Sequence, residues 1–162
     1  MDKEIIEIGM GRMHISCAPN ILVTRGLGSC VGITLYDRVK KIGAMTHAML
    51  PDISRAVSST NASRFVNSSI EKMLQELKAQ GCNRLHLEAK LFGGARMFGF
   101  INQDSALNLG EKNVSMAKEV LSKNEIPVLA SEVGGNFGRT IELDLETGKV
   151  LIKTVSFGEK EV

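Results

Sequence analysis

The chain has 162 residues, of which 20 are basic and 18 acidic, so its formal net charge is +2. This near balance, without any basic run, excludes the electrostatic footprint that binding to nucleic acid or an anionic membrane requires. The length fits one domain, residues 1–162, that buries its own core. No apolar run approaches the roughly 20 residues needed to span a bilayer, so no direct membrane insertion is expected.

The three cysteines are widely spaced and show no metal-binding pattern; they are Cys17, Cys30 and Cys82. There is no C-x-x-C pair and no Cys/His cluster with zinc spacing, so we expect no metal site. The N-terminus carries acidic residues and lacks the apolar segment of a signal peptide. We therefore expect a cytoplasmic protein, in which a free thiol is kept reduced.

The first half of the chain is predicted to form short strands and then a helix. Turn residues separate five apolar segments: Ile5–Ile8, Met13–Cys17, Ile21–Thr24, Val31–Tyr36 and Ala44–Leu50. The Asp37–Lys41 turn joins the last two as a hairpin. Pro51 ends the fifth strand, and the polar stretch after it is predicted as a surface loop. A helical pattern of apolar residues then predicts a helix from Ser63 to Gln80, ended by Gly81.

The second half alternates strands, glycine loops and one more helix. Strict alternation of apolar and polar residues predicts a half-buried strand from Arg84 to Leu91. The later elements are a helix at Leu109–Lys123, a strand at Pro127–Glu132, and a hairpin of Arg139–Leu145 with Lys149–Val155. Strands outnumber helices and many are linked as hairpins. The predicted class is α+β (mixed α/β), a single domain of β-sheet layers packed with two main helices.

The turn Thr24-Arg25-Gly26-Leu27-Gly28-Ser29-Cys30 is the strongest candidate for chemistry. Its glycines permit a sharp bend and leave backbone N–H groups uncovered beside a thiol. Such N–H groups can hold an oxyanion next to a nucleophile. Cysteine is also often buried as a small hydrophobic residue, so the turn alone leaves both interpretations open.

His47 lies on the next apolar strand and gives the thiol a candidate base. If Asp37–Lys41 closes an antiparallel hairpin, residues 30 and 47 fall almost opposite each other, with Cβ atoms about 4.5–5.5 Å apart. A thiol needs a group that lowers its pKa or takes its proton. The alternative for His47 is a hydrogen-bonded histidine of the core.

The other histidines, cysteines and glycine loops lack a comparable setting. We expect His86 to face solvent and His14 to have no companion ligand, and we interpret Cys17 and Cys82 as packing residues. The glycines that begin at Gly26 miss the spacing of a dinucleotide site. Two later glycine loops do not end in Gly-Lys-Ser/Thr; they are Phe92-Gly93-Gly94-Ala95 and Gly134-Gly135-Asn136-Phe137-Gly138. Nucleotide binding is therefore not predicted.

Four motifs, taken together and in order, resemble the chemoreceptor glutamine deamidase family, CheD. They are Gly26-Leu27-Gly28-Ser29-Cys30-Val31, His47-Ala48-Met49-Leu50-Pro51, Ala89-Lys90-Leu91-Phe92-Gly93-Gly94-Ala95 and Gly134-Gly135-Asn136-Phe137-Gly138-Arg139. The resemblance implies hydrolysis of selected glutamine side-chain amides on methyl-accepting chemotaxis receptors to glutamate and ammonia. It also implies a fold with strands packed between helical layers, similar to cysteine-dependent toxin deamidases.

The same resemblance implies roles for particular residues and partners. Cys30 matches the nucleophile, His47 the base and Thr24 a third member of the triad. No metal or organic cofactor is implied, and a CheC-type phosphatase is implied as a partner. The backbone at Gly28 and Ser29 is then the expected oxyanion site.

A receptor helix as substrate predicts an open groove rather than a closed pocket. Phe92, Phe98 and Phe100 are candidates for contact with that helix, although aromatic residues are more often part of the core. Two other functions stay open. The protein could be a non-catalytic adaptor that binds receptors and CheC, or a cysteine amidase or methylesterase acting on a small molecule or on receptor glutamyl esters.

Overall fold

The computed structural model describes residues 2–58, 61–97 and 108–162. Within these residues, ten strands form two five-stranded sheets, and two helices cover one of the sheets. The predicted α+β class, with sheet layers and two main helices, is confirmed. The order of the layers corrects one expectation. The strands do not lie between helical layers, because both helices pack on the same face of one sheet and the second sheet covers its other face.

The first sheet contains both ends of the chain. Its order is β1 (Ile5–Glu7), β3 (Ile21–Leu27), β8 (Arg139–Asp144), β9 (Val150–Thr154) and β10 (Gly158–Glu161). β1 and β3 are parallel, and the other pairs are antiparallel. The predicted hairpin of β8 and β9 is confirmed. β10 was not predicted, because its sequence is Gly-Glu-Lys-Glu and every residue of this edge strand is exposed.

The second sheet lies in the middle of the molecule. Its order is β2 (Met13–Cys17), β5 (Ile42–Ala48), β4 (Val31–Asp37), β6 (Leu87–Gly93) and β7 (Val128–Val133). β4 is its central strand and all of its residues are buried. The predicted strand from Arg84 starts later, since residues 84–86 form a 3-10 turn that leaves Leu85 83% exposed and His86 half-buried. The prediction of a half-buried strand is wrong, because even Lys90 on the second face of β6 is buried.

The two helices supply one wall of the first hydrophobic core. α2 (Leu109–Lys123) has the predicted bounds, whereas α1 (Val66–Ala79) begins later than predicted. Phe65 stays extended and forms an isolated bridge with Leu50, so the helix starts after it. This core contains Val31, Ile33, Leu35, Ile70, Met73, Leu77, Leu91, Ala117 and Leu121. Among the described residues, neither helix has the combination of length and apolar character that crossing a membrane requires.

The second core fills the space between the sheets and contains Leu22, Leu27, Tyr36, Met45, Phe92, Ile141, Leu143 and Ile152. Glycine at position 32 permits this close packing, because a Cβ there would lie 2.8 Å from Cδ1 of Ile141. Phe92 is 0% exposed, so its proposed contact with a partner helix is wrong, and its interpretation as a core residue is correct. Phe98 and Phe100 lie outside the described residues.

Candidate active site

The hairpin of β4 and β5 brings Cys30 and His47 to one face of the second sheet, in a register that differs from the predicted one. His47 pairs with Gly32, and Val31 pairs with Ala48. Cys30 directly precedes β4 and lies two residues before Gly32, and residues two apart share a face. Cys30 is therefore a diagonal neighbour of His47, at a typical separation of about 7–8 Å between Cα atoms, rather than its direct partner.

Thr24, on β3 of the first sheet, reaches His47 across the space between the sheets. Its Oγ1 lies 2.7 Å from Nδ1 of His47 and 2.6 Å from the carbonyl oxygen of Ile8. A carbonyl oxygen can only accept, so the Thr24 hydroxyl donates to Ile8 and Nδ1–H of His47 donates to Thr24. In the neutral imidazole this leaves Nε2 unprotonated. Nε2 is buried and has no hydrogen-bond partner among the described residues.

Burial sets the charge state of both groups. Cys30 is 9% exposed and His47 is 1% exposed. Burial raises the pKa of the Cys30 thiol, and the backbone N–H of Cys30 only partly opposes this shift. Burial lowers the pKa of the His47 imidazole. At neutral pH the site therefore holds a neutral thiol beside a neutral base, so the thiol must transfer its proton when it reacts.

In the turn at residues 28–30, the carbonyl groups accept hydrogen bonds and the N–H groups donate to no other described residue. The carbonyl oxygens of Gly28 and Cys30 accept hydrogen bonds from the N–H groups of Ala95 (2.8 Å) and Gly94 (2.9 Å). The carbonyl oxygen of Ser29 accepts one from a side chain of α2. Within the described part of the chain, the N–H groups of these three turn residues donate to no other residue. Occupied carbonyls and unused N–H groups are what an oxyanion site needs.

Both later glycine loops support this turn. Gly93 has a φ of +95°, and a Cβ there would collide with the carbonyl oxygen of Cys30, which explains why this position is glycine. The buried Arg139 donates to the carbonyl oxygens of Gly134 (2.9 Å) and Gly93 (3.5 Å), and its guanidinium lies 4.3 Å from the centre of the Phe137 ring. The two loops are thus joined to each other and packed beside Cys30.

One buried polar residue of this region was not predicted from the sequence. Asn113 of α2 is 0% exposed, and its Nδ2 donates to the carbonyl oxygens of Ser29 and Met49. The available signal was a polar residue four positions before Ala117, on the apolar face of the helix. Partners that lie 84 and 64 residues away could not be deduced from that pattern.

The remaining histidines and cysteines differ from Cys30 and His47 in burial. Cys17 is exposed, so its interpretation as a packing residue is wrong. Cys82 packs against the helical core, as predicted. His14 is exposed on β2. The described residues contain no cluster of three or more His, Cys, Asp or Glu side chains that could hold a metal ion.

Comparison with known proteins identifies the family. The family model described as "CheD chemotactic sensory transduction" matches residues 49–154. A probable chemoreceptor glutamine deamidase CheD of Syntrophomonas wolfei is 42% identical, with 98% of each chain covered. Its counterpart in Caldanaerobacter subterraneus is 41% identical, with 100% of each chain covered. The chemoreceptor glutamine deamidase CheD of Halalkalibacterium halodurans is 40% identical, with 99% of each covered.

Among solved structures, the hypothetical protein YfiH of Bacillus licheniformis matches with a TM-score of 0.45 and 13% identity, covering 75% of this chain and 49% of that one. Similarity at that level does not define a common fold. The sequence relatives, by contrast, align over the full length at about 40% identity. This chain belongs to the CheD family.

Proposed function

We propose that this protein is a protein-glutamine deamidase that hydrolyses selected glutamine side-chain amides on methyl-accepting chemotaxis receptors, with Cys30 as its nucleophile. The names of its relatives support the amide hydrolysis and the receptor substrate. One observation supports the assignment of residues more than any other. The hydrogen bonds from His47 to Thr24 and from Thr24 to Ile8 leave Nε2 of His47 unprotonated on the face that carries Cys30.

The first half of the reaction forms a thioester. Nε2 of His47 takes the thiol proton, and Sγ of Cys30 attacks the carboxamide carbon of the glutamine. The carbonyl oxygen becomes an oxyanion, which the unused N–H groups of Ser29 and Cys30 stabilise. The proton on Nε2 then passes to the amide nitrogen, the C–N bond breaks, and ammonia leaves. The glutamyl group remains bound to Sγ.

The second half of the reaction releases the product. Nε2 of His47 takes a proton from water, and the oxygen attacks the thioester carbon. The C–S bond breaks, the proton returns to the sulfur, and a glutamate side chain is formed. Thr24 holds the imidazole in one tautomer and one orientation in both halves, which is the role of a third triad member. His47 carries every proton that is transferred and water supplies the oxygen, so the scheme requires no cofactor.

The partners and the compartment follow from the same proposal. A receptor helix is the macromolecular substrate, and a CheC-type phosphatase is a further partner that family membership suggests. We place the protein in the cytoplasm, where the three cysteines, which form no disulfide with one another, stay reduced.

Three alternatives differ from deamidation in what happens to the receptor. A methylesterase would use the same thiol to attack a receptor glutamyl ester and would release methanol. An adaptor would bind receptors and CheC without changing either. A small-molecule amidase would leave receptors unaltered. No specific contact among the described residues favours one of these over deamidation.

The deciding experiment is to incubate the protein with a receptor cytoplasmic fragment that carries both glutamines and methyl esters, and to measure the fragment's mass. Deamidation replaces NH₂ by OH, so each modified glutamine gains about 1 Da. A loss of about 14 Da per site, with no change at glutamines, would instead identify the methylesterase. Stable binding with no change in mass would support the adaptor.

A further inference from the structure

Asn113 connects two backbone segments of the site. One is the turn at residues 28–30, called here the nucleophile turn, and the other follows His47. Its side chain is completely buried near the start of α2. Its Nδ2 donates to the carbonyl oxygen of Ser29 at 2.9 Å and to that of Met49 at 3.1 Å. Ser29 directly precedes Cys30, and Met49 lies two residues after His47. A single amide group thus holds both segments of the site.

The contact with Ser29 also determines where a neighbouring N–H group points. The carbonyl of Ser29 and the N–H of Cys30 belong to one peptide unit, which is planar and trans, so they point in opposite directions. Holding this carbonyl against α2 therefore aims the Cys30 N–H away from α2. Accepting a hydrogen bond also polarises the peptide unit and strengthens its N–H as a donor.

α2 itself is fixed against the same part of the molecule. A Cβ at Gly110, three residues before Asn113, would lie 2.5 Å from the carbonyl oxygens of both Gly94 and Ala95. The N–H groups of Gly94 and Ala95 in turn hold the other two carbonyls of the nucleophile turn. The helix, the glycine loop and the turn therefore form one packed unit, and Asn113 is its side-chain link.

In the described part of the chain, the side-chain amide of Asn113 forms hydrogen bonds through its nitrogen and not through its oxygen. Both N–H donors of Nδ2 are engaged, whereas Oδ1 is buried without a partner among the described residues. A residue selected only to fill space would not need two donors, and Asn and Gln are the neutral side chains that offer two on one nitrogen. The donors, rather than the volume, distinguish this residue from an apolar one.

We propose that Asn113 is a positioning residue for deamidation. It orients the N–H of Cys30 as an oxyanion donor through Ser29, and it fixes the spacing of Cys30 and His47 through Met49. The inference rests on the proposed function, because an oxyanion forms only if Cys30 attacks a carbonyl carbon. Asn113 itself touches no reacting atom.

The test compares Asn113→Ala with Asn124→Ala, a matched change at the other end of α2, where Nδ2 donates to the carbonyl of Val120 at 2.8 Å. Losing an oxyanion donor costs about 100–1,000-fold in kcat, so misaligning one is expected to cost about 30-fold. KM should change less than about threefold, since the interaction acts mainly in the transition state. Alkylation of Cys30 by iodoacetamide at high pH, which forms no oxyanion, should keep its rate. Asn124→Ala should change neither rate.

Three results would overturn the inference: an unchanged kcat in Asn113→Ala, an equal loss of kcat in Asn124→Ala, or an alkylation rate that falls as far as kcat. If Asn113→Ala does not fold, Asn113→Asp has the same size and a distinct signature. Its kcat/KM relative to wild type should rise as the pH falls, because a protonated carboxyl regains one O–H donor. A ratio independent of pH, or failure of both variants to fold, would also overturn the inference.

Wild type and Cys30→Ala in the same assay separate this inference from the proposed function. If wild type does not convert receptor glutamines, the proposed function fails. If wild type converts them, Cys30→Ala does not, and Asn113→Ala is as active as wild type, only the role of Asn113 is wrong.

Discussion

Both ends of β4 place a cysteine beside a polar side chain, and they differ in how the polar groups are satisfied. At its C-terminal end, Asp37 accepts hydrogen bonds from the N–H groups of Val39 and Lys40 at 2.9 Å and of Asn83 at 3.2 Å, and the thiol of Cys82 donates to it. At its N-terminal end, Nε2 of His47 has no partner in the described part of the chain, and the N–H groups of residues 28–30 donate there to no other residue.

The pKa shifts express the same difference. Burial raises the pKa of Asp37, but three backbone N–H donors outweigh it and lower the pKa overall. Burial and the charge of Asp37 raise the pKa of Cys82 to about 11, which leaves this thiol inert at neutral pH. A buried polar atom without a partner costs about 1–3 kcal/mol, so its persistence needs a reason. Satisfied polar groups, as at the C-terminal end of β4, are typical of residues that stabilise a fold, and the unsatisfied groups at its N-terminal end are consistent with the proposed catalytic site.

The largest effect that distinguishes the two ends is expected for His47→Gln. Loss of the base should lower kcat about 100–10,000-fold, because the buried thiol then has no group that takes its proton. His86→Gln, which changes the histidine beside Asp37, should leave kcat unchanged. Steady-state kinetics on a receptor fragment measure both variants. If His47→Gln keeps most of the activity, His47 is not the base.

A smaller loss is expected for Thr24→Val, which keeps the shape of the side chain and removes the hydroxyl. One hydrogen bond of about 1.4 kcal/mol orients the imidazole, so kcat should fall about tenfold. Thr24→Ser retains a hydroxyl and should recover most of the rate. Nitrogen NMR of the histidines should show the Nδ1–H tautomer of His47 in wild type and a mixture in Thr24→Val. Equal rates for Val and Ser would show that the hydroxyl is not needed.

The pH dependence of kcat/KM should show where the base titrates. His47 works only when neutral, and burial lowers its pKa from the ordinary value of 6.5. Its neutral form therefore persists to lower pH, and the acidic limb of the profile should lie below pH 6.5. Rates measured on the receptor fragment across this range give the midpoint. An acidic limb above that pH would mean that the imidazole is stabilised in its charged form.

The hydrogen bonds of Asp37 at the C-terminal end of β4 should affect the free energy of unfolding and not kcat. Asp37→Ala removes an acceptor of three backbone hydrogen bonds and should lower the free energy of unfolding by about 3 kcal/mol, with kcat unchanged. The pKa of Asp37 is lowered on folding, so its contribution is present above the ordinary value of 3.8 and is lost as the pH falls below it. Denaturant unfolding at neutral and acidic pH measures both effects. A loss of kcat without a loss of stability would show that Asp37 serves activity rather than the fold.

The spacing of apolar residues predicted the positions of helices and strands better than it predicted how the strands pair. The apolar pattern identified α2 with its observed bounds, and the turn at Asp37–Lys41 identified the hairpin. The register was wrong by two residues, because Asp37 caps the turn and Lys41 adopts a φ of 56° within it. Pairing therefore begins at Asp37 and Ile42, and Gly32 rather than Cys30 lies opposite His47. A turn conformation that depends on side-chain caps is not visible in an alternation pattern.

The stacking of the two sheets and the contacts between residues far apart in the chain could not be predicted from the sequence, for a different reason. Alternation in β6 cannot reveal that a second sheet covers Lys90 and Phe92. Thr24 was identified only by resemblance to the family, since its contact with His47 joins strands of different sheets. The link from Asn113 to the nucleophile turn likewise depends on tertiary packing.

Replacing the two thiols at the ends of β4 tests whether Cys30 is the nucleophile. Cys30→Ala and Cys82→Ala should each be incubated with the receptor cytoplasmic fragment beside wild type, and the fragment's mass followed with time. A gain of about 1 Da per modified glutamine is expected with wild type and Cys82→Ala, and no gain with Cys30→Ala. Conversion by Cys30→Ala at the wild-type rate would show that Cys30 is not the nucleophile.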